Sequence, residues 1–398
     1  MKNKYLMKSV CFILTIYTLF LASLTSVYAV GEGNSADFCN ERSLCDGDGC
    51  ENAYFSSEGK CDDGQGISEY EAVLSDNVEV SSRFLELFFG DKKDEKRSIS
   101  LMPGGEVFGV KIKQKYVTVT ESRNIPALSS GDIILSVDGR DVSSAADVKR
   151  IVEKSGGGSL TIRALHRGSE IAVEIRPNYE DGQYRLGLTL RDGAAGLGTV
   201  TFIDPETGLF GGLGHGICDG DSGEIICMES GEVCGVVLGG VHRGESGKPG
   251  ELCGVLTEDD LGDLMINSEC GVFGIITDAK LLSGNTMPIG TKGEVTEGEA
   301  KIISTLKNGK SAEYKVEIYD IDQSSDGSKS FRIRVTDDTL KALTGGIIRG
   351  MSGSPIIQNG KLIGAVTHVL VADPTEGYGI FIENMLNVAD TAIKQKAA

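Results

Sequence analysis

The sequence predicts a mostly β protein in two folded parts, and three observations carry that expectation. Glycine supplies 54 of 398 residues, about twice the roughly 7% of average proteins. Short β-branched runs recur along the chain, and Asp138-Gly139, Asn308-Gly309 and Asn359-Gly360 fall between such runs. These pairs tolerate positive φ and so form hairpin turns. Hydrophobic content of 40% and charged content of 24% are those of an ordinary globular chain, and the length suits two to three domains.

The net charge of −19 argues against nucleic-acid binding, which needs basic patches to neutralise phosphates. Lys2, Lys4 and Lys8 precede an apolar run over 10–28, and Val27-Tyr28-Ala29 has the small-residue spacing of a cleavage site. Residues 1–29 therefore read as a signal peptide or as a retained membrane anchor; either puts the remainder outside the cytoplasm. Residues 30–97 read as an acidic linker carrying Cys39, Cys45, Cys50 and Cys61. Two disulfides in one of three connectivities would staple it. With no Cys-x-x-Cys pair the metal reading is disfavoured, and no metal site or cofactor is expected. Cys218, Cys227, Cys234, Cys253 and Cys270 leave an odd thiol further on.

From residue 98 the pattern becomes regular. Residues 107–120 alternate in two short runs, 131–137 leads into Asp138-Gly139, and 160–165 and 171–175 face each other across Arg167-Gly168. Between them Ser144 is a candidate N-cap, Val148, Ile151 and Val152 share one helical face, and Gly156 to Gly158 end the helix. Strand, strand, helix, strand, strand in about 80 residues makes a small half-open barrel. Residues 98–178 resemble a PDZ domain of the bacterial protease type. That resemblance implies peptide binding by strand addition, with Gly104, Gly105, Gly109 and Val110 at the binding loop and strand; the alternative is that these glycines only make turns.

Over 184–390 nearly every apolar run is short: 199–202, 233–238, 272–276, 301–306, 314–321, 331–336 and 362–371 are the clearest strands. Asp259, Asp260 and Asp263 sit in a polar, helix-like stretch, and Ile382, Met385, Leu386, Ala389 and Ile393 have helical spacing. Gly350-Met351-Ser352-Gly353-Ser354-Pro355 leads into a strand, an Asn359-Gly360-Lys361 turn and a second strand. A nucleophilic serine needs such a tight, glycine-flanked turn, so that its hydroxyl projects and nearby N–H groups meet the oxyanion. The run resembles the nucleophile region of chymotrypsin-like proteases. The match implies a double β-barrel, Ser352 as nucleophile, and the N–H groups of Gly350 and Ser352 as oxyanion hole. Of the four histidines, His166 lies in the first module. His368 follows Ser352 too closely for a histidine-first order, and its strand suggests a structural role. His242 sits in a charged Gly-rich loop. His215, between Gly214 and Gly216, is the best base.

The longer runs Arg191-Asp192-Gly193-Ala194-Ala195-Gly196, Gly214-His215-Gly216-Ile217 and Thr344-Gly345-Gly346-Ile347-Ile348-Arg349-Gly350-Met351-Ser352 resemble the SpoIVB peptidase family, over about 98–390. The resemblance implies an exported serine endopeptidase of endospore formers, acting between the two forespore membranes. Its implied partners are itself and a membrane-embedded metalloprotease regulatory complex, in a signal toward sigma-factor processing. It also selects the triad acid. Eleven aspartates lie between His215 and Ser352, and matching Val335-Thr336-Asp337 to the family points to Asp337, with Asp278 as the fallback. The alternative for Asp337 and Asp338 is that they cap a turn or short helix after their strand. A catalytically silent PDZ scaffold is the other reading of the whole chain.

Overall fold

The computed structural model describes residues 99–220, 223–307 and 309–397. The expected leader at 1–29 and the Cys-bearing linker at 30–97 lie outside the described residues.

Two strands open the fold, β1 (Ser100–Pro103) and the sixteen-residue β2 (Val107–Ser122). The chain then makes β3 (Ile133–Val137), β4 (Arg140–Asp141), helix α1 (Ala145–Lys154), β5 (Leu160–His166), β6 (Ser169–Ile175), β7 (Asn178–Glu180) and β8 (Gln183–Arg185). It returns along β9 (Leu188–Ile203), as long as β2 and antiparallel to it. The helix begins where the capping chemistry puts it: Ser144 accepts from the Asp147 N–H. The turns are those expected, with φ of 54° and 72° at Asp138 and Gly139, and 48° and 79° at Arg167 and Gly168.

Next come β10 (Leu209–Gly212), β11 (Met228–His242), β12 (Glu251–Ser268) and β13 (Gly271–Ile276), with the two-residue β14 (Met287–Pro288) after them. Hydrogen-bonded neighbours run β9-β10-β13-β12-β11-β2, and the β2–β9 pairing closes this ring into a six-strand barrel. Phe108, Val110, Ile112, Phe210, Leu213 and Val272 fill it. A second closed barrel follows, in order β15-β16-β17-β20-β19-β18. Its strands are β15 (Gly298–Lys307), β16 (Lys310–Tyr319), β17 (Phe331–Val335), β18 (Pro355–Gln358), β19 (Lys361–Val369) and β20 (Glu376–Phe381), with helix α2 (Asp338–Thr344) between β17 and β18. The terminal helix α3 (Ile382–Ala397) packs Met385, Leu386 and Ala389 against Leu101, Phe202 and Phe273, joining the two barrels.

The fold is therefore the expected one, mostly β with a PDZ-like module and a double barrel. Its parts divide differently along the chain. Residues 98–178 are not one module, because β2 is a single strand shared by two cores. Phe108, Val110 and Ile112 lie in the first barrel, whereas Val117 and Val119 lie in the core of the PDZ-like module. That module core also takes Leu186, Leu188 and Leu190, from the far side of the expected boundary. The PDZ-like unit is thus an insertion on the barrel's β2–β9 ribbon. The helix-like reading of 259–263 is also corrected. These residues lie in β12, which is paired to β11 on one side and β13 on the other, and two ladders of backbone bonds override a weak local preference. No helix among the described residues is long and apolar enough to cross a membrane.

Candidate active site

The turn Gly350–Gly353, which carries Ser352, sits between the two barrels and is bonded to both. From β9, the Thr199 N–H donates to the Ser352 carbonyl at 2.9 Å, and the hydroxyls of Thr199 and Thr201 donate to the carbonyls of Gly350 and Gly353 at 2.8 Å. From β19, the Val366 carbonyl accepts from the Gly353 N–H at 2.7 Å, and the Val366 N–H donates to the Ser354 carbonyl at 2.9 Å. Gly353 has φ of 94°, and a Cβ there would overlap the Thr199 carbonyl and the Leu213 backbone. Only glycine lets the turn seat this deeply.

Backbone donors around the turn are divided. Those of Arg349, Met351, Gly353 and Ser354 each reach a carbonyl. Those of Gly350 and Ser352 reach no acceptor among the described residues. Both residues are half-buried, so these two N–H groups, one of them that of Ser352 itself, are available to an anion. Ser352 itself is partly exposed, while Ser354 is fully buried, its hydroxyl without a partner.

His215 reaches the same place from the first barrel. After β10, Leu213 and Gly214 adopt φ of 64° and 71°, which turns the chain so that Gly214 packs on Thr367 of β19. The His215 Nδ1 lies 2.9 Å from the Gly216 carbonyl. A proton there leaves Nε2 bare, the tautomer a general base requires. Behind it, the Asn267 carboxamide accepts from the Ile217 N–H and donates to the Ile217 and Ile226 carbonyls. The Ser352 hydroxyl donates to the Thr367 carbonyl at 2.8 Å rather than to the histidine. The next residue, His368, lies against the His215 ring, with centroids 4.9 Å apart and the planes tilted by 36°. Burial pushes His368 from 6.5 down to about 3, helped by His215 and Lys329; it stays neutral, its Nδ1 buried and unpartnered. Ser352 and His215 thus contact adjacent residues of β19, Thr367 and His368.

Asp337 is not brought to this site. Its carboxylate caps α2, accepting from the Thr339 and Leu340 N–H groups and from that of Lys315. Partial burial pushes its pKa up, but these backbone donors outweigh burial and hold it below the ordinary value. Val366 is in register with Gly379, and Gly379 with Phe331. Asp337 lies past the end of β17 at Val335, where the chain turns into α2. The capping alternative therefore describes it, and the Gly216 carbonyl stands where a triad acid would. Asp278, the fallback, caps the short 3-10 turn Ala279–Leu282. The expected peptide-binding residues also fall elsewhere. Gly104 and Gly105 donate to Thr201 and Val200 of β9, and Gly109 and Val110 face β9 and β11 inside the first barrel. They belong to the barrel wall, since the PDZ-like core begins only at Val117.

Two supporting residues escaped the sequence reading. The alternation of its strand suggests only a structural part for His368, and nothing local marks that its ring lies against His215. Asn267 carries no local signal, because its three acceptors and donors are distant in sequence.

A family model described as SpoIVB peptidase S55 matches residues 182–386. No curated protein sequence matches the chain. Among solved structures, the PDZ domain of the SdrC-like protein Lmo2051 from Listeria monocytogenes is 23% identical. It covers 20% of this chain and 93% of that one, with a TM-score of 0.19. The active form of Rv3671c protease from M. tuberculosis is 12% identical over 62% and 85% of the two chains, with a TM-score of 0.28. A serine endoprotease from Yersinia pestis is 13% identical over 50% and 58%, with a TM-score of 0.30.

Proposed function

The chain belongs to the SpoIVB peptidase S55 family and is a serine peptidase, and from that premise we propose that it is an exported signalling endopeptidase of sporulation. In this reading it is held at least transiently at a membrane by residues 1–29 and acts between the two forespore membranes. It cleaves itself and a regulator of a membrane-embedded metalloprotease complex, and needs no metal or nucleic acid for the chemistry. Ser352 is the nucleophile and His215 the base.

The observation that carries the catalytic part is the turn at Gly350–Gly353, with two open N–H donors beside a partly exposed hydroxyl. The hydroxyl rotates from the Thr367 carbonyl to His215 Nε2, gives up its proton as Oγ attacks the peptide carbonyl, and leaves the oxyanion on the Gly350 and Ser352 N–H groups. His215 then passes that proton to the leaving amine, and water repeats the sequence to release the acyl group. Catalytic hydrogen bonds are often formed only with substrate bound, so the Thr367 contact describes the resting hydroxyl. The same contact favours a second reading, a silent scaffold whose serine is parked for good.

Incubating the purified chain and mapping new N-termini separates the two. Ser352→Ala removes all self-cleavage and Ser354→Ala retains a measurable part, since loss of the nucleophile costs on the order of 10⁶ in rate. No new N-termini from the parent would support the scaffold, and equal cleavage by Ser352→Ala and parent would overturn the assignment of Ser352.

A further inference from the structure

His242, Glu251 and Cys253 stand together on one face of the β11–β12 hairpin. His242 is directly opposite Glu251, and Cys253 opposite Gly240. With a period of two along each strand, all three side chains rise from the same surface. The His242 Nδ1 is 3.0 Å from a Glu251 oxygen and 3.5 Å from the Cys253 sulfur, and the three donor atoms lie within 4.8 Å of one another.

Hydrogen bonding alone uses this arrangement poorly. One ring nitrogen has either one proton or one lone pair in the ring plane, and here it faces two partners. A cation at the shared vertex uses all three groups at once. Zinc bonds of about 2.0 Å to nitrogen, 2.1 Å to oxygen and 2.3 Å to sulfur give tetrahedral edges of roughly 3.4 Å for N–O and roughly 3.5 Å for N–S. The observed separations are close to both. The fourth corner is available, because Gly240 lacks a side chain and the space where its Cβ would stand is open.

We propose that His242, Glu251 and Cys253 bind one zinc ion, with water at the fourth position. A thiolate, an imidazole and a carboxylate are the mixed donor set that zinc accepts, and they disfavour magnesium and calcium, which take oxygen ligands. Binding replaces the Cys253 thiol proton, which passes to solvent. The site lies beside the active site's backbone: Leu252, between two of the ligands, donates its N–H to the Arg349 carbonyl at 2.9 Å, and Arg349 donates back to Gly250 at 2.8 Å. An ion here ties down the hairpin that supports the residue before Gly350.

Cobalt(II) titration of the full chain tests the proposal, because a cobalt–thiolate bond adds a charge-transfer band in the near ultraviolet. The band develops with the parent, disappears in Cys253→Ser and weakens in His242→Ala, while melting temperatures show both variants folded. In parallel, zinc slows alkylation of Cys253 by roughly tenfold or more, since a coordinated thiolate is withdrawn from reaction. His242→Ala and Glu251→Gln reduce that protection. A band of equal strength in parent and Cys253→Ser, or Cys253 alkylation indifferent to zinc, would overturn it.

Discussion

At the scale of single residues, the site depends on which group holds His215. The conventional arrangement would place a carboxylate on Nδ1; here the Gly216 carbonyl takes that position, and Asp337 is spent on the α2 N-terminus. The roles make opposite predictions. As a cap, Asp337→Ala costs about 1 kcal/mol of stability and leaves turnover within roughly tenfold of the parent. As a triad acid, its loss would cost on the order of 10⁴ in rate with folding intact. Melting temperature beside initial rate on one peptide substrate distinguishes them. The two turns were legible because their chemistry is local: both are glycine-flanked, and they stand in the sequence as Gly214-His215-Gly216 and Gly350-Met351-Ser352-Gly353. The part played by Asp337 was not, because a strand end followed by two aspartates reads alike whether it caps a helix or faces a histidine 122 residues earlier.

At the scale of elements, β19 carries both the acceptor of the resting hydroxyl and the ring that lies against the base. His368 titrates in the unfolded chain near 6.5 but in the folded protein only at about 3. Between those values the unfolded chain binds a proton that the folded one does not, so stability is full above about pH 6.5 and declines as pH falls toward 3. His368→Phe keeps a ring in place and removes the titration. Its melting temperature should fall less than the parent's between about pH 7 and about pH 5. Equal falls in the two proteins would show that His368 is not buried in its neutral form. Element type was readable wherever two signals agreed, as at α1, where Ser144 and the Val148–Val152 face coincide. It failed at β12, whose aspartates have no strand signal of their own and whose conformation is imposed by neighbours on both sides.

At the scale of the whole molecule, the PDZ-like module and the first barrel share the ribbon of β2 and β9, so neither can be excised at residue 178 without damage. A fragment of residues 98–178 keeps Phe108, Val110 and Ile112 without their barrel and loses Leu186, Leu188 and Leu190 from the module core. A fragment of residues 115–191 retains the core from Val117 to Leu190. Thermal melting followed by circular dichroism should show a cooperative transition for 115–191 and a weak or absent one for 98–178. The reverse result would mean that the shared ribbon does not define the unit. A sixteen-residue strand crossing two cores alternates in the same way throughout, so nothing in its pattern marks where one core ends and the expected boundary falls early.

The most direct test of the central claim is to label the purified chain with a fluorophosphonate and locate the adduct by peptide mass mapping. The reagent forms a stable bond only with a serine whose proton is removed by a base and whose oxyanion is held. The account predicts an adduct on Ser352, lost in Ser352→Ala and slowed on the order of a thousandfold or more in His215→Ala. An adduct on Ser354, or labelling of Ser352 at the parent rate without His215, would contradict it.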